Sequence, residues 1–300
     1  MHPDFKEAMA LDQTTLDLQH SPSKFAKDSN GSLTRMVQYT EAARADPEIA
    51  AMLDIPYSPR PRAKLDLYKP ASEAAAPLPC LVFIHGGFWQ EGDKSVSGFA
   101  ARSLCADGWA WVSVGYTLTP EVTLTELTVE IYAALAHLAR HAQAWGIDPA
   151  RIVLAGHSAG GQLAAAVLAD VLGRGGAMDL AGAVLISGVY ELAPVARSYV
   201  NDLARMDSAE VARLSPLRHL PVVDCPVHIL VGADEPELFL LQSRALAAAW
   251  QPHLSCLTED VPAGRDHFDV LDEMNDPRSP TRQAMAGMVG KADGERSGND

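Results

Sequence analysis

The sequence predicts an α/β fold with a mostly parallel central sheet, helices on both faces and a small cap insertion. Short apolar runs alternate with segments of helical length along most of the chain, as in repeated strand–helix–strand units. Glycine or Asp-Gly follows several of these segments, where the chain is expected to turn. The 300 residues are enough for one large domain of this class.

The first 55 residues are polar with weak helical periodicity, and we predict a partly helical N-terminal extension that covers part of the domain. The main domain is predicted to span 56–291, starting at a proline-rich break at 56–61. Residues 65–68 alternate between apolar and polar side chains, which is typical of an edge strand. The polar tail 292–300 is predicted to be disordered.

The following segments alternate in the predicted order. Buried strands are predicted at 80–85, 109–114, 152–155, 182–187 and 227–231, and a last strand at 255–259. Helices are predicted at 95–106, 125–145, 161–169 and 239–250. Residues 190–220 interrupt the alternation after a strand, so this insertion should lie over the carboxyl edge of the sheet and form a cap.

Composition narrows the classes of function. The net charge of −14 argues against a nucleic-acid partner and against attraction to an anionic membrane. The chain has no apolar run of about 18 residues, and its first residues lack the apolar core of a signal peptide. Scattered cysteines favour reduced thiols over a disulfide framework or zinc site (Cys80, Cys105, Cys225, Cys256). We therefore expect a cytoplasmic protein.

The pentapeptide Gly156–Gly160 is the strongest chemical signal. It has the pattern G-x-S-x-G and stands between a predicted strand and a predicted helix, which is the context of a nucleophilic serine on a tight turn. The turn would lift the hydroxyl of Ser158 into a cleft at a helix N-terminus, where the N–H of Ala159 can stabilise negative charge.

A second motif, at 85–89, follows the first buried strand and reads His-Gly-Gly-Phe-Trp. Glycines let backbone N–H groups approach a developing oxyanion, and a loop of this type supplies part of the oxyanion hole in lipases and esterases. We expect His85 itself to brace the loop. The candidate donors are the N–H groups of Gly86, Gly87, Phe88 and Ala159.

The base should follow the serine in a loop after the last strands. Of the histidines after Ser158, we choose His267, which lies in a glycine-containing loop after the last predicted strand. His228 lies within a predicted strand, while His219 and His253 lie in the insertion and in a loop. His137 and His141 share a helix face without the Glu of a zinc-binding H-E-x-x-H motif, so we expect them to face solvent.

The acid should follow the strand that ends at 231, because its role is to fix the tautomer of the imidazole. Asp234 and Glu235 are both suitably placed, and their spacing does not separate them. Glu237 is expected to begin a helix and to face solvent.

With these residues identified, residues 57–273 resemble the α/β-hydrolase superfamily, and within it the kynurenine formamidase (arylformamidase) branch, next to the hormone-sensitive-lipase-like esterases. The matching segments are 85–90, 115–120, 156–161, 239 with 242–243, and 266–269. The resemblance places the family's acid on Glu235, although Pro236–Phe239 is shifted from the usual family pattern and keeps Asp234 as the alternative.

The resemblance implies hydrolysis of an aryl formamide such as N-formylkynurenine, with a formyl-enzyme intermediate. The aromatic leaving group would stack on Trp89, with Tyr116 and Tyr190 as further candidates. The alternatives are a carboxylesterase or a carbamate or amide hydrolase with the same triad, and a catalytically inactive hydrolase fold used for binding. We expect a small-molecule substrate, no cofactor and no metal. The sequence leaves open assembly as a homodimer.

Overall fold

The computed structural model of the chain describes residues 2–72, 74–175 and 179–290. Its strands are β1 (Ile49–Pro56), β2 (Lys64–Pro70), β3 (Leu78–Ile84), β4 (Ala110–Val114), β5 (Ile147–His157), β6 (Gly182–Ile186), β7 (Val227–Leu230) and β8 (Leu257–Asp260). They form one sheet in the order β1-β2-β4-β3-β5-β6-β7-β8. Pairing is antiparallel from β1 through β2 to β4 and parallel across the rest, which confirms the predicted fold class.

Helices cover both faces of this sheet. They are α1 (Lys6–Ala10), α2 (Gln13–Gln19), α3 (Ser29–Ala45), α4 (Ala101–Ala106), α5 (Leu124–His141), α6 (Ala159–Leu168), α7 (Leu192–Arg197), α8 (Asn201–Ala204), α9 (Ser208–Leu214), α10 (Glu237–Trp250) and α11 (Pro280–Val289). One hydrophobic core lies between the sheet and α5, α6 and α10, and a second core lies under α4 and α11 on the other face.

The sequence explains where α5 begins and ends. The Thr123 side chain accepts from the N–H of Glu126, and the Glu126 carboxylate accepts from the N–H of Thr123, so the two residues form a capping box. After His141 the chain tightens into a 3₁₀ turn and stops at Gly146, whose φ of 78° is left-handed. Glycine adopts this conformation without a steric penalty.

Residues 65–68 do not form the edge of the sheet as predicted. They lie in β2, which pairs with β1 on one side and with β4 on the other. The edge strand β1 is mostly exposed and lacks the long apolar run that marks the inner strands, so its sequence pattern is weak. The sheet therefore starts at Ile49, and the predicted boundary between extension and domain at 55/56 falls inside β1.

The predicted helix at 95–106 is also shorter in the structure. Lys94–Val96 forms a 3₁₀ turn, and α4 begins only at Ala101. Gly98 lies in the intervening loop, where an added Cβ would be 3.0 Å from the Tyr68 ring. Close packing and the low helix propensity of glycine explain the break.

The extension and the insertion both contain short helices. Residues 2–45 contain α1, α2 and α3, and the predicted insertion at 190–220 contains α7, α8 and α9. The predicted tail at 292–300 lies outside the described residues.

Three composition-based expectations can be compared with the described part of the chain. The four cysteines are free thiols, and all but Cys256 are buried. No helix within these residues is both long enough and apolar enough to cross a membrane. No group of three or more His, Cys, Asp or Glu side chains among them is arranged to hold a metal ion.

Candidate active site

The carboxyl ends of the parallel strands meet at one edge of the sheet, and the predicted site residues follow them. Ser158 follows β5, the glycine-rich loop follows β3, and the loops that carry Glu235 and His267 follow β7 and β8. In an open α/β sheet this edge is where ligands bind.

Ser158 occupies a tight turn between β5 and α6. Its φ of 56° and ψ of −119° are unfavourable for a residue with a side chain, and its N–H donates to the Ile186 carbonyl at 2.8 Å. An added Cβ on Gly156 would lie 2.1 Å from the Gly160 oxygen, and one on Gly160 would lie 2.1 Å from the Ile84 oxygen. The strand and helix therefore cross too closely for any side chain at the two flanking positions.

The glycine-rich loop lies directly beside Ser158. An added Cβ on Gly86 would approach the Ser158 Cβ to 2.9 Å. The next residues, Gly87, Phe88 and Trp89, have φ values of 102°, 46° and 63°. Three consecutive left-handed residues persist only where the surroundings hold them, and such strain is concentrated at functional sites.

Backbone N–H groups without an acceptor occur both in the glycine-rich loop and at the start of α6. Within the described residues, the N–H groups of Gly87 and Phe88 donate to no acceptor. Ala159 is the first residue of α6, so its N–H has no acceptor within the helix. The positive end of the helix dipole adds to the attraction for an anion there.

His267 contacts Glu235 in the interior. The distance from His267 Nδ1 to Glu235 Oε2 is 2.6 Å, and the two residues are only 4% and 5% exposed. We assign the Nδ1 proton to this contact because an ionised carboxylate can only accept. In that tautomer the lone pair of the ring is on Nε2.

The other oxygen of Glu235 is held as well. Its Oε1 accepts from the Gly232 N–H at 2.8 Å and from the Ser187 hydroxyl at 2.5 Å. The carboxylate is therefore fixed in one orientation towards the ring.

Asp234 points the opposite way. Its side chain is 42% exposed, and Oδ2 lies 3.1 Å from Lys27 Nζ. Glu237 lies in the first turn of α10 and pairs with Arg244 on the surface. The structure thus brings only Glu235 to His267.

Two neighbours that had no role assigned from the sequence lie against His267. Phe239 packs edge-on against it with ring centroids 4.6 Å apart, and His157 Nε2 lies 2.8 Å from the His267 backbone oxygen. Burial lowers the pKa of His157 well below its usual value, so this ring is neutral at pH 7. In the sequence, His157 could have been identified from its place directly before Ser158 in the G-x-S-x-G motif.

His85 braces the loop, as expected. Its ring stacks on Tyr116 with centroids 4.3 Å apart, and Nδ1 lies 2.8 Å from the Gly86 oxygen. Burial lowers the pKa of His85 to about 4, so it is uncharged at neutral pH.

Within the described residues, the other histidines considered as candidates make no hydrogen bond or ring contact with Glu235 or His267. His228 bonds to Thr258 and Thr281, and the His219 carbonyl accepts from Trp250. His253 lies in an exposed turn. His137 and His141 are half-buried and stack on each other and on Trp145, instead of facing solvent fully.

The three aromatic residues predicted to bind the leaving group have no exposed surface (Trp89, Tyr116 and Tyr190). Trp89 Nε1 donates to the Gln162 side chain at 3.1 Å, and the Tyr116 hydroxyl donates to the His85 carbonyl at 2.9 Å. Trp89 and Tyr116 thus take part in buried hydrogen bonds and present no surface to a ligand. The half-buried Phe88 is the aromatic residue of this loop that remains accessible, and its ring lies 6.5 Å from that of Phe239.

Comparison with known proteins supports a hydrolase. The family model BD-FAE matches residues 65–171. The kynurenine formamidase of Danio rerio is 28% identical over 296 residues, which cover 94% of this chain and 98% of that protein. A protein from Silicibacter sp. TM1040 with a provisional thioesterase assignment has a solved structure that is 30% identical, with a TM-score of 0.79 over 90% of this chain and 98% of its own.

Enzymes of lower sequence identity share the fold. Esterase B from Lactobacillus rhamnosis superposes with a TM-score of 0.69 at 23% identity, over 90% of this chain and 96% of its own. The strand order, the position of the candidate site at the carboxyl edge and these similarities all indicate the same fold family. The chain therefore belongs to the α/β-hydrolase superfamily, as a hydrolase that resembles the kynurenine formamidase branch next to the esterases.

Proposed function

We propose that the protein is a serine hydrolase in which Ser158 is the nucleophile, His267 the general base and Glu235 the acid. The observation that carries the proposal is the buried 2.6 Å contact between His267 Nδ1 and Glu235, formed at the same sheet edge as the strained turn of Ser158. A nucleophile, a base and a group that orients the base are the three parts that acyl transfer by serine requires.

The reaction would proceed in two halves. The Ser158 hydroxyl attacks the substrate carbonyl while His267 Nε2 takes its proton, and the proton then passes to the leaving amine as the C–N bond breaks. Water next attacks the acyl-enzyme, again giving a proton to Nε2, and the acid product leaves as Ser158 regains its proton. Glu235 stabilises the imidazolium that forms in each half.

The oxyanion would be held by backbone donors. Gly87, Phe88 and Ala159 supply N–H groups beside Ser158, with Gly86 as a further candidate. Because the left-handed loop and the helix N-terminus fix these donors in advance, they need no reorganisation as charge develops.

For the substrate we propose an aryl formamide such as N-formylkynurenine, which would give formate and an aryl amine. Likeness to the formamidases over nearly the whole chain supports this choice. The bulky side chain of Phe88 within the oxyanion loop suits formyl, the smallest acyl group, and its ring offers an aromatic face to the leaving group.

An esterase acting on small acyl or aryl esters is the second candidate. It is favoured by the 30% identity, over most of both chains, to the protein with a provisional thioesterase assignment. The same triad would serve, with an alcohol or thiol in place of the amine as leaving group.

A side-by-side measurement of kcat/KM for N-formylkynurenine and p-nitrophenyl acetate separates the two. We expect N-formylkynurenine to be the better substrate, even though its amide bond is intrinsically less reactive than the activated ester. A kcat/KM that strongly favours the ester would overturn the formamidase assignment while leaving the serine mechanism intact.

A further inference from the structure

The N-terminal residues contact the cap insertion and the start of α10. The His2 N–H donates to Glu191 at 3.0 Å, and the Tyr199 N–H donates to Asp17 at 2.9 Å. Further along, the Leu238 N–H donates to the Gln19 side chain at 3.1 Å. The segment thus follows the protein surface from the cap towards the loops that carry Glu235 and His267.

Lys27 in this segment forms hydrogen bonds or ion pairs with both the loop of Glu235 and the loop of His267. Its ammonium group donates to the Gly264 carbonyl at 2.8 Å and lies 3.1 Å from Asp234 Oδ2. Its backbone N–H donates to Asp266 Oδ2 at 3.0 Å. Lys27 therefore bonds to the neighbour of Glu235 in one loop and to the neighbour of His267 in the other.

Asp266 joins the backbone of Lys27 to the base loop, through a bond that does not involve the Lys27 side chain. It is buried, and its Oδ1 accepts from the N–H groups of Phe268 and Asp269 at 2.9 and 3.2 Å. Burial alone would raise the pKa of Asp266, but the N–H groups of Phe268, Lys27 and Asp269 hold it below its usual value. The ionised carboxylate fixes the backbone on both sides of His267.

The two loops also bond directly to each other. The Asp234 N–H donates to the Arg265 carbonyl at 2.9 Å, and an added Cβ on Gly232 would lie 2.4 Å from that same oxygen. The relative position of the two loops sets the distance between His267 and Glu235. The exposed side chain of Lys27 bonds to both loops at the point where they meet.

We propose that Lys27 is a positioning residue, which clamps the acid loop to the base loop and so keeps the imidazole of His267 aligned with Glu235 and Ser158. The inference rests on the proposed serine mechanism and assigns the N-terminal extension a part in it. A displacement of about 1 Å in a catalytic group can cost about 10²-fold in rate, so a clamp outside the reacting atoms can affect turnover. Its ion pair with Asp234 is exposed, and exposed ion pairs contribute little to stability, so the fold does not depend on it.

The test compares Lys27→Met with Lys27→Arg and with Lys24→Met, which removes the same charge from an exposed lysine three residues earlier. The readouts are the second-order rate of fluorophosphonate labelling of Ser158, and kcat and KM for whichever substrate is turned over. We expect Lys27→Met to lower the labelling rate and kcat about fivefold, equivalent to about 1 kcal/mol, with KM within about twofold. Lys27→Arg should restore most of the rate, and Lys24→Met should match the wild type.

The inference is overturned if Lys27→Met labels Ser158 at the wild-type rate, if Lys24→Met shows the same loss, or if only KM changes. It is also overturned if Lys27→Arg is as slow as Lys27→Met, because retained charge and reach would then not matter. Labelling needs no particular substrate, so a lack of N-formylkynurenine turnover would contradict the formamidase assignment and leave this test intact. A wild-type protein that is not labelled would overturn both proposals.

Discussion

At the scale of single residues, the orientation of two adjacent carboxylates decides which one we propose as the acid. Glu235 is buried with both oxygens bonded, one to His267 Nδ1 and the other to Gly232 and Ser187. Asp234 faces Lys27 and solvent. The side chains diverge because the Asp234 N–H is tied to the Arg265 carbonyl and the Glu235 N–H to the Gly232 carbonyl.

We therefore predict opposite outcomes for two isosteric substitutions. Glu235→Gln should lower kcat about 10³- to 10⁴-fold, because the amide no longer fixes the Nδ1–H tautomer or stabilises the imidazolium. Asp234→Asn should lower it less than about tenfold, through the Lys27 contact alone. Steady-state kinetics of both variants gives the comparison, and a larger loss in Asp234→Asn would assign the acid to Asp234.

Some of these candidate residues can be proposed from the sequence, and others cannot. Ser158 and His267 are recognisable because each lies in a motif next to a predicted strand end. The choice between Asp234 and Glu235 depends on loop direction, which is set by contacts between residues about 30 positions apart. The burial of Trp89 and its hydrogen bond to Gln162 could not be predicted either, because the two residues are 73 positions apart in the sequence.

At the scale of elements, the crossing of β3, β5 and α6 sets the position of Ser158, the proposed nucleophile. The two glycines that flank Ser158 make room for this crossing, since an added Cβ at either would lie 2.1 Å from a backbone oxygen. Backbone cannot move aside as a flexible side chain can, so the contact must be relieved by shifting the helix or the strand.

A matched pair of glycine substitutions tests this packing. Gly160→Ala should lower the free energy of unfolding by about 3 kcal/mol, near the upper end of overpacking costs, and should also displace Ser158. Gly287→Ala, in α11 with no atom within 4 Å of the added Cβ, should raise it by about 0.5–1 kcal/mol through helix propensity. Urea denaturation measures both; a Gly160→Ala protein as stable as the wild type would contradict the crossing described here.

The inner strands and long helices were predictable because their apolar runs are continuous and bounded by turn residues. The edge strand β1 and the helices of 2–45 were poorly defined, since they are largely exposed and are stabilised by contacts with distant parts of the chain. Arg44 of α3, for example, bonds to Tyr68 and Asp66 of β2.

At the scale of the whole molecule, buried neutral histidines make stability depend on pH. Burial lowers the pKa of His85 to about 4 in the folded state, against about 6.5 in the unfolded chain. Between these values the unfolded state binds more protons, so this contribution to stability is present above pH 6.5 and is lost as the pH falls towards 4.

We predict that lowering the pH from 7 to 5 costs roughly 2 kcal/mol through His85 alone. The variant His85→Asn, which does not titrate, should show a correspondingly smaller loss between the two pH values, whatever its stability at pH 7. Urea denaturation of both proteins at pH 7 and pH 5 gives the loss in free energy of unfolding for each, and the two losses are then compared. Equal losses in the two proteins would mean that His85 is not held neutral by burial.

Hydrogen bonds connect segments of the molecule that are far apart in the sequence. The extension bonds to the cap, to α10 and to the loops of the proposed acid and base, while the sheet aligns the strand ends beneath them. The residues that we propose for the active site and its positioning thus range from Lys27 to His267.

The most direct test of the proposed serine mechanism is kcat/KM for N-formylkynurenine hydrolysis by the wild type and by Ser158→Ala, followed through release of the aryl amine. The mechanism predicts turnover by the wild type and a loss of about 10⁴-fold or more in the variant, because the hydroxyl that forms the formyl-enzyme is gone. Wild-type activity retained in Ser158→Ala would show that Ser158 is not the nucleophile and would contradict the mechanism.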